Sequence, residues 1–213
     1  MPVYDWVMQG IKNVDLSGKL IKKIGSERVL CAETKEEADF ALTKIPAFGW
    51  VSNKMFKLSI IQQHNLQFVT TSSINEDRVF NLEYSQYIYS FLMLPSVSYN
   101  YVENPKSLTH SYVHPNMFIN TAKEYDKILR NGKLGLHLSV YTGKFCIRFY
   151  IHAIGLCIVS PFTKLSLLKR SSLFMVTLKS LFSSYAIHQY KLRVVKWGMK
   201  DFYVYARKFL MRK

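Results

Sequence analysis

Residues 134–152 read LGLHLSVYTGKFCIRFYIH. Leu134, Leu136, Leu138 and Val140 alternate with Gly135, His137, Ser139 and Tyr141, a period of two that predicts a strand with one buried face. Thr142-Gly143-Lys144 has the chemistry of a hairpin turn. Phe145, Ile147, Phe149 and Ile151 then alternate with Cys146, Arg148, Tyr150 and His152, which predicts a second strand. A turn at 153–155 leads to a third strand over 156–160, ended by Pro161. Beyond a basic linker over 162–171, Ser171 or Ser172 caps a helix with Phe174, Leu178, Leu181, Phe182 and Tyr185 on one face. Leu192 and Val194 face inward on a fourth strand. Trp197-Gly198-Met199-Lys200 is a turn. Asp201 caps a last helix whose stripe is Phe202, Tyr205, Ala206, Phe209 and Leu210. The order is β-β-β-α-β-α: an α+β or α/β unit with a mixed sheet, helices packed on it and a right-handed parallel crossover.

Upstream the pattern is more broken. Residues 28–31 suit a strand. Thr34 and Glu37 form a capping-box pair for a helix over 34–45 with Ala38, Ala41, Leu42 and Ile45 on one face, stopped by Pro46 and Gly49. Residues 56–61 and 66–71 read as strands paired around His64-Asn65. Residues 79–94 fit a strand or a helix, 95–115 read as loop, and 120–130 as a short helix capped by Asn120 or Thr121. This segment is an N-terminal α/β extension to the basic unit that follows.

Charge divides the chain at the same place. Residues 1–126 hold 12 basic and 13 acidic residues, whereas residues 127–213 hold 17 basic residues and one acid, Asp201. The reading is a near-neutral, protein-contacting extension over 1–126 and a basic domain over 127–213. A folded unit with that field attracts polyanions, nucleic acid first and an anionic membrane surface second. With 49% apolar and 20% charged residues, a real core is expected. Cys31, Cys146 and Cys157 lack metal-ligand spacing and read as reduced, buried small hydrophobes. No secretory signal or transit peptide is visible, and the uncharged run over 84–102 is broken by Ser, Gln, Asn and Pro95, so no membrane span is expected. Lysine (21) outnumbers arginine (8), with Phe and Tyr at 14 each. That bias suits an AT-rich, organelle-type coding sequence and a mitochondrial product.

Lys169-Arg170-Ser171-Ser172, Val194-Val195-Lys196-Trp197-Gly198 and Arg207 with Leu210, in this order, resemble the universal small-subunit ribosomal protein eleven family over about residues 133–213. The chain departs from that family in a linker without glycine, a shorter turn at Gly198, a first helix with bulky Leu and Phe, and almost no basic tail. The resemblance implies a structural rRNA-binding protein on the platform of the small subunit, in contact with neighbouring ribosomal proteins and close to mRNA near the exit region.

The RNA-binding residues expected on this reading are Lys144 at the hairpin tip, Arg148 on a strand face, Lys164, Lys169 and Arg170 ahead of a helix N-terminus, Lys196 and Lys200 around Gly198, and Arg207 on the last helix. Each could also be a solvated surface charge, and Trp197, Tyr141 and Tyr150 suit either base stacking or packing. The element order also resembles the ribonuclease H-like fold. Its nucleases need clustered carboxylates for metal ions, and this region has one, so a nuclease would have to bring Glu76 or Asp77 from upstream. His137, His152 and His188 lack ligand spacing, no nucleophile elbow or Walker loop occurs, and the protein is expected to be non-enzymatic, with no metal, no cofactor, no small-molecule substrate and no membrane partner. Two rivals remain: a large-subunit ribosomal protein of the eighteen family that binds 5S rRNA, and a basic membrane-surface or viral interaction protein.

Overall fold

The computed structural model describes residues 4–71, 74–104, 114–158 and 166–190. These form a mixed α+β chain: β1 (Trp6–Met8), β2 (Ile11–Val14), β3 (Leu20–Ile24), β4 (Leu30–Ala32), α1 (Lys35–Leu42), β5 (Lys54–Phe56), α2 (Leu58–Gln63), α3 (Glu76–Ser85), β6 (Phe91–Met93), β7 (Tyr99–Val102), α4 (Pro115–Arg130), α5 (Leu136–Ile158) and α6 (Leu167–Phe182). One further helical stretch covers 185–190. The chain divides into two compact units. The first is Met1–Val69, Asn75–Ser111 and Leu134–Leu138; the second is Thr70–Ile74, Tyr112–Lys133 and Ser139–Lys213.

Both sheets lie in the first unit. One has the order β4-β6-β1-β5, with β1 parallel to β6 and antiparallel to β5, and β4 antiparallel to β6. The other has the order β3-β2-β7, with β2 antiparallel to β3 and parallel to β7. Trp6 is the centre of the core. It is fully buried, with Phe48, Phe56 and Tyr84 ring centroids 5.8, 5.6 and 5.3 Å away. Asp5, next to it, accepts from the Tyr89 N–H at 3.0 Å and the Ser90 N–H at 3.3 Å and pairs with Lys57 at 3.0 Å. Burial alone would raise its pKa, but these donors hold it below the ordinary carboxylate value. The Tyr84 hydroxyl donates to the Asp5 carbonyl at 2.6 Å, which ties α3 to the start of β1.

α1 forms as its sequence predicts. The Thr34 side chain accepts from the Glu37 N–H at 3.2 Å, and the Glu37 carboxylate reaches back to the Glu33 N–H at 3.2 Å. Asp39 on α1 then does something no local pattern announces. Its carboxylate accepts from the N–H groups of His137 and Leu138 at 2.7 and 2.9 Å, so it caps α5 from 98 residues away in sequence. A Cβ on Gly135 would lie 2.3 Å from the Asp39 carboxyl carbon, so the cap requires glycine there.

α5 corrects the central expectation for the fold. The stretch expected to hold three strands between 134 and 160 is one helix, Leu136–Ile158, so the β-β-β-α-β-α, ribonuclease H-like order does not describe this chain. The reason lies in residues read as a turn. Leu138, Thr142, Cys146, Phe149, Tyr150, Ala153 and Cys157 are all buried, a helical spacing of three and four that runs straight through Thr142-Gly143. Gly143 marks a close approach: a Cβ there would lie 2.3 Å from the Tyr190 ring. Leu136, expected inward on a strand, is 73% exposed.

Smaller corrections follow the same logic. Residues 58–63 are the helix α2, not a strand, and 66–71 pair with no strand. Residues 79–94 contain both the end of α3 and β6, and β7 forms inside the stretch expected to be loop. α4 starts at Pro115 with His114 as its cap, five residues before the expected start. α6 starts at Leu167, with the Ser166 side chain accepting from the Lys169 N–H, so Ser171 and Ser172 lie inside the helix. Cys31 is exposed, while Cys146 and Cys157 are buried, and all three are free thiols. The fourth strand at Leu192 and Val194, the turn at Trp197–Lys200 and the helix capped by Asp201 lie outside the described residues.

Candidate active site in the first unit

The first unit concentrates its polar chemistry where the loop between α1 and β5 meets the start of α3. Three side chains hold that loop. Asn81, fully buried on α3, donates from Nδ2 to the carbonyls of Phe48 and Trp50 at 2.7 and 3.1 Å. Lys54, first residue of β5, donates from Nζ to the carbonyls of Ala47 (2.9 Å) and Trp50 and to Asn53 Oδ1 (2.7 Å). Asp77, in the first turn of α3, accepts from the Val51 N–H at 3.3 Å. Gly49 lies directly against the Arg78 guanidinium. Ala47 sits at φ 61° and Asn75, just ahead of α3, at φ 57°. A non-glycine residue in the left-handed region stores strain that its surroundings must offset, and such strain gathers at functional sites. Here the surroundings are the Lys54 and Asn81 donors.

The electrostatics converge on the same residues. Burial raises the Asp77 carboxyl above its ordinary value, and the neighbouring Glu76 adds to the rise, while the Val51 N–H and Lys54 oppose it. Burial lowers the Lys54 ammonium to about 7, with Asp77 pulling the other way. Burial thus favours the neutral form of both groups, and a carboxyl with a raised pKa coupled electrostatically to an amine with a lowered one is the kind of pair that acid–base sites use. A cavity of about 250 Å³ opens next to Lys54, lined by Met8, Gln9, Ser52, Asn53 and Leu94 among others. In the same loop Trp50 stacks parallel to Tyr101 of β7, centroids 5.9 Å apart and planes within 1°. Among the described residues no group of three or more His, Cys, Asp or Glu side chains is placed to hold a metal ion.

Of the residues expected to bind RNA, Lys144, Arg148, Lys169 and Arg170 lie in described helices. Lys144 and Arg148 lie one turn apart on α5, Lys144 exposed and Arg148 with its guanidinium 6.0 Å from the Phe145 ring. Lys169 and Arg170 are in the first turn of α6 rather than in a loop ahead of it. Lys164, Lys196, Lys200 and Arg207 lie outside the described residues. Sequence reasoning named Glu76 and Asp77 only for a nuclease and missed Lys54 and Asn81. The one signal in the sequence was the pair of acids opening a helix, which would draw attention to whatever polar group meets that first turn.

No family model and no curated protein matches this chain. Among solved structures it is similar to TarS residues 1–349 of S. aureus, solved in complex with UDP-GlcNAc, with a TM-score of 0.55 and 10% identity. The match covers 99% of this chain and 60% of the TarS chain. At that identity the likeness concerns the fold alone. That fold points away from the ribosomal role expected from the sequence. The helix α5 also stands where the ribosomal pattern needs strands, so the expectation of a structural rRNA-binding role is corrected by the fold. The large-subunit alternative expects the same element order and meets the same helix.

Proposed function

We propose that this chain forms part of a nucleotide-sugar-dependent glycosyltransferase in which Asp77 is the general base. The observation that carries the reading is the raised Asp77 carboxyl beside Lys54, in a unit that belongs to a chain folded like a UDP-GlcNAc-bound protein. The labile bond of a nucleotide sugar joins the anomeric carbon to a diphosphate oxygen. Transfer breaks that bond and forms one to an acceptor hydroxyl, whose proton must go to a base. A carboxylate with its pKa lifted by burial accepts that proton more readily than an ordinary surface carboxylate. Asn81 and Lys54 act by position, holding the 47–51 loop that supplies the Val51 N–H to Asp77. The Trp50–Tyr101 pair provides an aromatic face on which the CH side of a sugar ring packs.

The test measures UDP release from UDP-GlcNAc, and from a panel of other UDP-sugars, together with binding of each by calorimetry. Asp77→Asn is expected to lose about 100-fold or more in turnover with binding of the nucleotide sugar kept. Unchanged turnover in Asp77→Asn, or a wild-type protein that binds no nucleotide sugar in the panel, contradicts the proposal.

A further inference from the structure

The second unit carries a surface that the base site does not use. On α6, Leu168, Met175 and Phe182 recur every seven residues and therefore share one stripe. They are 84%, 63% and 64% exposed, whereas Thr177 and Leu181 on other faces are buried. Lys169 and Lys179 are exposed beside the stripe. The last turn of α5 and the first three turns of α6 enclose an open groove of about 330 Å³, lined by Cys157, Ile158, Arg170, Ser171, Phe174 and Met175. Its walls are otherwise apolar or small, and Arg170 is its charged member. The Arg170 Nε is buried and has no hydrogen-bond partner among the described residues. Ile158, at the mouth, is exposed. α5 and α6 together bear five basic residues and no acid.

We infer that this α5–α6 corner docks on an anionic phospholipid leaflet, with the groove taking part of one lipid and Arg170 facing its phosphate. Two features must be explained together: large exposed apolar side chains and, on α5 and α6, Lys and Arg without any Asp or Glu. Phosphates of a nucleic acid satisfy the field but leave Leu168, Met175 and Phe182 wet. A membrane interface satisfies both, since apolar side chains enter the acyl boundary while lysines stay among the headgroups. Among the described residues no helix is long and apolar enough to cross a membrane, so the attachment made by this corner is peripheral. The inference stands apart from the proposed chemistry at Asp77 and can fail without it.

The experiment is flotation of the full chain, nuclease-treated, with vesicles of phosphatidylglycerol and phosphatidylcholine, and with vesicles of phosphatidylcholine alone. The wild type is expected to float with the anionic vesicles and remain in solution with the neutral ones. Leu168→Ser/Met175→Ser/Phe182→Ser is expected to lose binding at least tenfold, and Lys169→Glu/Lys179→Glu to lose it comparably. Both sets change exposed positions, so circular dichroism and melting temperature should match the wild type. Arg170→Gln reads the groove, with a severalfold smaller loss. Wild type that fails to float with anionic vesicles overturns the inference. So does equal flotation of the folded stripe variant. So does a wild-type dimer in sedimentation that the stripe variant disperses, without lipid binding in either.

Discussion

The two units use charge in opposite ways. In the first, carboxylates are turned inward onto backbone N–H groups. Asp5 fixes the start of β1, Asp39 caps α5, and Asp77 meets the Val51 N–H. In the second, helices carry the described residues, and α5 and α6 have no acid at all. Asp126 is the exception that clarifies the rule. It accepts from the Ala186 N–H at 3.1 Å and from Arg130 at 3.0 Å, an inward-facing carboxylate in a unit whose described lysines are all exposed. The first unit is therefore held by carboxylates bonded to backbone N–H groups of distant residues, and the second adds to its long-range hydrogen bonds a close helix packing around small residues such as Gly143. Geometry held by directional bonds is what proton transfer needs; a packed helical block with cations outside is what a docking surface needs.

Breaking the inward carboxylates should hurt most where the partner is a helix end. Gly135→Val pushes a branched side chain into the Asp39 carboxylate, which is both buried and occupied. Equilibrium denaturation should show a loss of about 3 kcal/mol, larger than for Gly135→Ala. Asn81→Ala removes two hydrogen bonds to the 47–51 loop and leaves buried carbonyls without those donors. About 1–3 kcal/mol of stability should go, along with turnover, because the Val51 N–H loses its fixed position against Asp77.

Those contacts mark how much of the molecule the sequence could disclose. The Thr34–Glu37 cap was legible because its partners are three residues apart. The Asp39 cap of α5 was not, because its partners are 98 apart. The alternation in 134–152 is real, but Thr142, Gly143 and Cys146 are small enough to serve a turn or a tight helix contact equally well. The Asp39 carboxylate and the Tyr190 ring decide for the helix, and neither is visible in the stretch itself. The charge asymmetry was legible and remains true of the chain; its assignment to rRNA was not supported, because net charge names a class of partner and not a partner. At the site, Asp77 could be singled out as an acid, while its raised pKa comes from burial, which the local sequence does not disclose, and is moderated by Lys54, 23 positions earlier.

The contrast sharpens further through titration. The folded Lys54 amine, at about 7, releases its proton below its ordinary value of 10.5. Between those values the unfolded chain holds a proton that the folded chain has lost, so this group makes stability rise as pH increases through that window. Denaturation curves at pH 7, 8 and 9 should show the rise in the wild type and its disappearance in Lys54→Met. The same network predicts two small, opposite shifts in the acid limb of the pH–rate profile. Lys54→Met removes a charge that lowers the Asp77 pKa, so the limb moves up. Glu76→Gln removes a charge that raises it, so the limb moves down.

The most direct measurement is single-turnover UDP release from UDP-sugars by wild type, Asp77→Asn and Glu76→Gln, side by side at saturating nucleotide sugar. Asp77→Asn should fall by about 100-fold or more while Glu76→Gln stays within severalfold of wild type. Equal rates for wild type and Asp77→Asn, or a loss confined to Glu76→Gln, would contradict Asp77 as the base.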